Sequence, residues 1–405
     1  MFKRLHIALL VSMAICGIGS AAQAQQQLCP GQNNMTRPTN LACEIADASG
    51  AAGVQGSLLS HLPSAIASQF GQLPLSTAIS GSGLTLNRSL GVFTASEDSL
   101  GTIFTQRAET MGKGKFLVAF SYQHFGFGSI DGISLKDLQT TQQVPNSSAY
   151  IHSNNDISLS VDQYTVMAGF GLSSRVDLAL VLPISRVGLD TTSRQTYYEQ
   201  GASPTPIPTN VEPGSASKIG DFAVNLKANL IKGEKTSFAV GTEVRFRTGD
   251  AANFLGSGAY GFKPYIVISR HGRLTPNINI AYQWNGNSIL ANGQNLPHSL
   301  LYSGGVDYRV TRKFTLVAEF VGQQVRNGWR VGLVQSQIPS GAGTATVQLA
   351  SVNPYQARYY MDNLGGGFKA NVTKNLFVNA SVLFKLDEAG LRSNVIPLVG
   401  ASYRF

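Results

Sequence analysis

The fold this sequence predicts is an antiparallel, membrane-spanning β-barrel of about twelve strands. Three observations carry that expectation. From Lys115 to Phe405, stretches of roughly ten residues alternate apolar with polar side chains. The connections between these stretches are short and long in turn, and aromatic residues gather at their two ends. Period-two alternation gives a strand one apolar and one polar face. Repeated across a whole domain, it fits a wall with lipid outside and water within.

Taken in order, residues 1–24 read as an export signal. Lys3 and Arg4 supply the positive start, Ile7 to Ile18 a short apolar core, and Ala22-Gln23-Ala24 a small-residue cleavage site. Losing Lys3 and Arg4 lowers the formal charge of +9 by two. Cys29 and Cys43 survive cleavage, and an oxidising compartment would join them in a disulfide that stabilises by about 3 kcal/mol. Residues 25–114 form a separate N-terminal region. A stretch rich in Gln, Asn, Ala and Gly (25–52) precedes a patchy helical pattern from Val54 to Phe70, interrupted by Pro63, and a mixed stretch from Leu84 to Thr105. This region is expected either to pack under the barrel as a periplasmic arm or to plug its lumen.

Residues 115–405 hold the barrel. Outward, lipid-facing positions run Phe116, Val118, Phe120 and Tyr122 on the first strand, then Tyr164, Val166, Ala168 and Phe170. Val176 to Ile184 follows on even positions. The fourth strand turns Phe222, Val224, Leu226, Ala228 and Leu230 outward, and the fifth Phe238, Val240, Val244 and Phe246. Seven more stretches complete the set: Tyr260–Ile268, Ile278–Trp284, Tyr302–Val310, Phe314–Phe320, Leu364–Val372, Leu376–Leu386 and Val395–Phe405. Tight turns fall at 173–175, 232–235, 271–273, 311–313 and 373–375. The longer connections are 129–156, 190–217, 248–257, 286–297, 327–358 and 387–394. All short connections lie on one side and all long ones on the other, as in barrels with periplasmic turns and external loops. Val331 to Val352 reads as a hairpin projecting outside; inside the wall it would make fourteen strands.

No stretch after the signal offers the roughly 18 apolar residues of a transmembrane helix. The basic residues are dispersed, and no nucleic-acid motif is present. Inward positions carry Asp221, Lys227, Glu243, Arg245, Arg247, Lys263, Asp307, Arg309, Glu319, Lys369 and Lys385, with bases outnumbering acids seven to four. Charges lining a narrow aqueous passage set ion preference, so anions are favoured. Lys227, Arg245 and Lys263 are expected to form the basic side of a constriction. A rim lipase would need His124, Ser160 and Asp162 in hydrogen-bond contact, but no elbow or oxyanion motif accompanies them. No catalytic residue, metal ligand or cofactor is expected.

The C-terminal run Val399-Gly400-Ala401-Ser402-Tyr403-Arg404-Phe405 resembles the final strand of bacterial outer-membrane proteins, where the terminal aromatic is read by the insertion machinery. That resemblance makes Tyr403 and Phe405 the membrane-insertion signal. More narrowly, Arg107-Ala108-Glu109-Thr110, Gly220-Asp221 and Thr248-Gly249-Asp250 resemble the outer-membrane transporter family linked to the meta-pathway of phenol degradation. Arg247 departs from the pattern, standing where similar proteins often carry a proline. The resemblance implies solute passage without naming a solute. The function expected from the whole sequence is a channel for passive movement of small solutes, aromatic or anionic, gated by the N-terminal segment or by inward-folded loops (129–156 or 327–358). Its expected partners are outer-membrane lipids, the insertion machinery and the solute; the sequence leaves oligomeric state open. The other readings are a sealed structural barrel and the rim lipase.

Overall fold

The computed structural model describes residues 40–48, 58–70, 84–87, 92–95, 100–144, 146–341, 345–373 and 375–405. The export signal and Cys29 lie outside them. Twelve strands make the wall: β1 (Phe116–Ile130), β2 (Tyr150–Gly171), β3 (Val176–Tyr198), β4 (Ala223–Lys232), β5 (Thr236–Arg245) and β6 (Gly261–Arg270), then β7 (Leu274–Asn285), β8 (His298–Arg309), β9 (Phe314–Pro339), β10 (Thr346–Asn371), β11 (Leu376–Lys385) and β12 (Val395–Arg404). Each pairs antiparallel with the next, and β12 returns to β1 with Val399 opposite Tyr122 and Ala401 opposite Phe120. No edge is left inside the membrane, because every wall strand has two neighbours.

The alternation sets the two faces as expected. Leu226, Ile266, Ile280, Leu316 and Val399 are exposed on the outside, while Lys227, Asn229, Asp307 and Glu319 are buried within. A continuous band of exposed large apolar side chains around a closed wall is a lipid-facing surface. The ten-residue strands β4, β5, β6, β11 and β12 cross roughly 25 Å at the usual barrel tilt. Aromatic pairs edge this band. Phe314–Phe368 (5.5 Å) and Tyr403–Phe405 (4.8 Å) lie at the short-turn end, Tyr122–Tyr164 (5.1 Å) and Tyr282–Trp284 (4.7 Å) at the other.

Phe405 closes the seam, its N–H donating to the Phe116 carbonyl at 2.8 Å and its ring meeting that of Phe116 at 5.6 Å. Deleting Phe405 removes that bond and the terminal aromatic. Heat-modifiable barrel in outer-membrane fractions is expected to fall severalfold; unchanged yield would show that the residue carries no insertion signal.

The long connections differ from the expectation of loops. Strands β1, β2, β3, β9 and β10 run on past the apolar band, and Thr205–Ile219 extends β4 upward as a partner of β3. The physical reason is a change of phase. On β2 the apolar side chains sit at even positions from Tyr164 to Phe170, facing lipid, but at Ile157, Leu159 and Val161 further up, facing inward. Phe125 and Phe127 on β1 and Val187 and Leu189 on β3 follow the same rule. Above the membrane the wall is therefore polar outside and apolar inside. The hairpin around 331–352 continues β9 and β10 outside the wall, so twelve strands stands.

That apolar interior covers two helices, α1 (Leu41–Ala48) and α2 (Leu58–Phe70). Leu41, Ile45, Leu62 and Ile66 share one buried cluster with Phe125, Leu159, Val187, Phe254, Leu290 and Leu391. Helix α2 continues through Pro63 rather than stopping there, with Leu62, Ala65 and Ile66 buried around it. Cys43 on α1 is buried and disulfide-bonded. Overhead, the two long hairpins from opposite sides of the barrel meet at their tips. The Gly201 N–H donates to the Gly341 carbonyl at 2.6 Å, and the Gly341 N–H to the Ala202 carbonyl at 3.1 Å. Thr205–Ile219 pairs with one strand only among the described residues, and Pro206, Pro208 and Pro213 remove donors from it, which blunts an open edge.

Candidate functional site

Inside the wall, at the end bearing the short turns, residues 100–111 cross the lumen as an extended strap. Its backbone is held by side chains from six strands. At one end the Leu100 N–H donates to Thr315 Oγ1 (3.0 Å), and Lys369 Nζ donates to the Thr102 carbonyl. The Glu319 carboxylate accepts three consecutive backbone N–H groups, from Ile103 (3.0 Å), Phe104 (2.9 Å) and Thr105 (2.7 Å). Midway, Asn279 donates to the Gln106 carbonyl at 3.2 Å, and the Ala108 N–H donates to Ser269 Oγ at 2.9 Å. Asn229 and Lys227 then donate to the carbonyls of Ala108 (2.7 Å), Arg107 (3.1 Å) and Glu109 (2.8 Å). At the far end the Met111 N–H meets Asp177 (3.0 Å), and Thr110 donates to the Ser174 carbonyl in the first short turn (2.9 Å). A buried strap leaves no water to satisfy its backbone, so the wall must supply those partners.

The strap contains one of the three motifs behind the family resemblance. Arg107 and Glu109 pair at 3.3 Å, and Glu109 reaches His271 at 3.0 Å. The other two motifs form one corner at the opposite end of the wall. Thr248 donates to the Gly220 carbonyl (2.9 Å) and accepts from the Phe222 N–H (2.9 Å). Asp221 accepts from Gly249 N–H (3.0 Å), Ser257 N–H (2.8 Å) and Ser257 Oγ (2.6 Å). A side chain at Gly249 would sit 2.5 Å from the Leu255 carbonyl oxygen, so the close turn requires glycine.

Between strap and roof lies a cavity of about 220 Å³. Phe104, Phe125, Phe127, Val181, Val321 and Ile396 give it an apolar side. Asn225, Lys227, Glu243, Lys263 and Asn279 give it a polar one.

The expected basic constriction is distributed otherwise. Lys263 pairs with Glu243 at 2.6 Å, Lys227 lies 3.9 Å from Asp177, and Arg245 lies 3.7 Å from Asp221 while donating to Asn285 at 2.8 Å. Desolvated charges survive by pairing, so these three cations meet carboxylates instead of forming one bare face. Asp307 is buried and accepts from Asn277 at 2.9 Å. Arg309 is half-buried at the end of β8. Lys385, the last residue of β11 at the external end, donates at 2.5 Å to Glu388 in the loop beyond, and that bond holds the Glu388 carboxyl below its usual range. Arg247 lies past the end of β5, exposed, with its guanidinium 4.9 Å from the outward ring of Tyr260. The strand stops at Arg245, so the parity that predicted a lumen position for Arg247 no longer applies. Tyr403 and Phe405 are exposed on the outer face.

Sequence reasoning missed the wall residues Asp177, Ser269 and Thr315. All three fall on the inward parity and were legible as such, but nothing in their spacing marks a strap. At the rim, Asp162 joins His124 Nδ1 (2.8 Å) and Tyr122 (2.8 Å). Ser160 has no hydrogen bond to His124 among the described residues, so no nucleophile is set against a base.

Solved structures of low identity match the chain. An outer-membrane channel from Pseudomonas putida F1 matches at 12% identity and a TM-score of 0.46, over 74% of this chain and 98% of that one. The porin KdgM matches at 10% and 0.35, over 71% and 99%. The toluene transporter TbuX from Ralstonia pickettii matches at 10% and 0.30, over 83% and 99%. No curated protein matches the chain. A family model does match, over residues 152–405, which takes in the strap-binding wall from β2 onward, and the chain therefore belongs to the family described as "Putative MetA-pathway of phenol degradation".

Proposed function

We propose that this protein is an outer-membrane channel for passive movement of small, amphipathic solutes, here in a closed conformation. The observation that carries the reading is the cavity: a two-sided chamber inside a membrane-spanning wall, bounded below by a strap and above by α2 and the 391–396 segment. An apolar body with one polar group fits such a chamber, since pockets of this kind bury the body and orient the polar end. Pairing of Lys263 with Glu243, of Lys227 with Asp177 and of Arg392 with Asp387 leaves little net field, which favours neutral cargo such as an aromatic alcohol over an anion. Membership in the phenol-degradation family agrees with that choice. The N-terminal region 25–114 serves as the gate, its strap closing the end that faces the periplasm, where the short turns place it.

Current block in planar bilayers tests the proposal. Resorcinol is expected to interrupt the ion current at lower concentration than glucose or benzoate. Block by benzoate before resorcinol would mean an anion channel. Absence of current both in the intact protein and after deletion of residues 25–111, which removes the strap, would favour the sealed structural barrel.

A further inference from the structure

A groove at the external rim gathers chemistry that conduction does not use. It lies between segment 289–297, which joins β7 to β8, and the base of the β9–β10 hairpin, with Ser64 of α2 at its inner end and a volume of about 470 Å³. Local backbone shapes both walls. Ile289–Ala291 make one 3-10 turn, ended by Asn292 in the left-handed region (φ 52°). In β9 the register slips between Val325 and Gly328, and Asn327 in that bulge is also left-handed (φ 53°). Bulges re-aim side chains, and Arg326 lies with its guanidinium 5.3 Å from the centre of the Tyr282 ring. Tyr282 alternates with buried Gln283, so its ring is on the outer face of the wall.

Among the described residues the lining is amide-rich and free of carboxylates. The side chains of Asn292, Gln294 and Gln356 make no hydrogen bond among the described residues, while His298 Nδ1 accepts from the Asn285 N–H at 3.2 Å. That bond leaves Nε2 as the donating nitrogen of the neutral ring. Planar amides lining a groove match a pyranose, whose hydroxyls both donate to and accept from them. Arg326 is the one full charge in the lining among the described residues and selects a phosphate on that sugar.

We propose that this groove holds the phosphorylated saccharide headgroup of an outer-leaflet glycolipid. Its place argues for a lipid-borne sugar, because it opens beside the Tyr282–Trp284 pair, where the wall passes from acyl chains to headgroups. The inference rests on the outer-membrane location proposed above but not on solute passage.

The purified, detergent-solubilised protein is to be mixed with rough lipopolysaccharide bearing both lipid A phosphates, and retained glycolipid read by native mass spectrometry. One bound glycolipid is expected. Arg326→Gln and enzymatic dephosphorylation of the lipid should each weaken retention at least fivefold, Gln356→Leu should weaken it by a smaller factor, and phosphatidylglycerol should not displace it. Equal retention by the intact protein and Arg326→Gln, or displacement by phosphatidylglycerol, overturns the proposal. Glucosamine 1-phosphate binding as tightly as the glycolipid overturns the lipid source. Arg326 faces outward, so Arg326→Gln should conduct normally; bilayer current thus reports separately on the channel.

Discussion

Glu319→Ala is expected to release the strap and raise single-channel conductance severalfold. The carboxylate caps three consecutive N–H groups, so its loss orphans three buried donors at once. Each unsatisfied buried group costs about 1–3 kcal/mol, giving a penalty of roughly 3 kcal/mol or more for keeping the strap in place. Lys369, which donates to the Thr102 carbonyl close by, would also lose a nearby opposite charge. The wall hydrogen bonds do not involve Glu319's side chain, so the barrel should remain heat-modifiable while the strap leaves. Planar-bilayer recording with a protease-protection assay of residues 100–111 checks both parts. Normal conductance with a protease-sensitive strap would show that the strap is not the gate.

Gly171→Val is expected to give the same open channel by steric means. A Cβ at Gly171 would stand 1.8 Å from the Gly112 carbonyl oxygen, against backbone that has no flexible side chain to move aside. The strap's exit toward β1 runs over this position, with the Gly114 N–H donating to the Gly171 carbonyl at 2.8 Å. Gly128→Val provides the control, since a Cβ there meets nothing within 4 Å. Recording should find Gly171→Val as conductive as Glu319→Ala and Gly128→Val indistinguishable from the parent. If the wedge stays closed while the charge variant opens, Glu319 acts on conductance through the cavity field and not through the strap.

The wall was legible because lipid imposes a rule on every second residue. Leu226, Val240 and Phe120 had to face outward once the period was two, and the sorting of turns by length fixed which end was which. The roof was hidden by the same rule applied too far. Ile157, Leu159 and Val161 break phase with Tyr164 and Val166, and that break marks where lipid ends and the helices begin. The strap was harder to see, because it is held through backbone N–H and C=O groups that every residue carries. Arg107-Ala108-Glu109-Thr110 stood out only by resemblance. Counting charges strand by strand passes over partners: Lys263 and Glu243 pair across two strands, which single-strand parity does not reveal.

The strap also sets an order of events. Ile103, Phe104 and Thr105 are bonded to a side chain more than two hundred positions later, and Thr102 to one later still. The strap is made before every strand that holds it, and its contacts with β9 and β10 can close only once those late strands are in place. One end of the plug is thus fastened only when the cylinder is nearly complete, like a cork pulled from within.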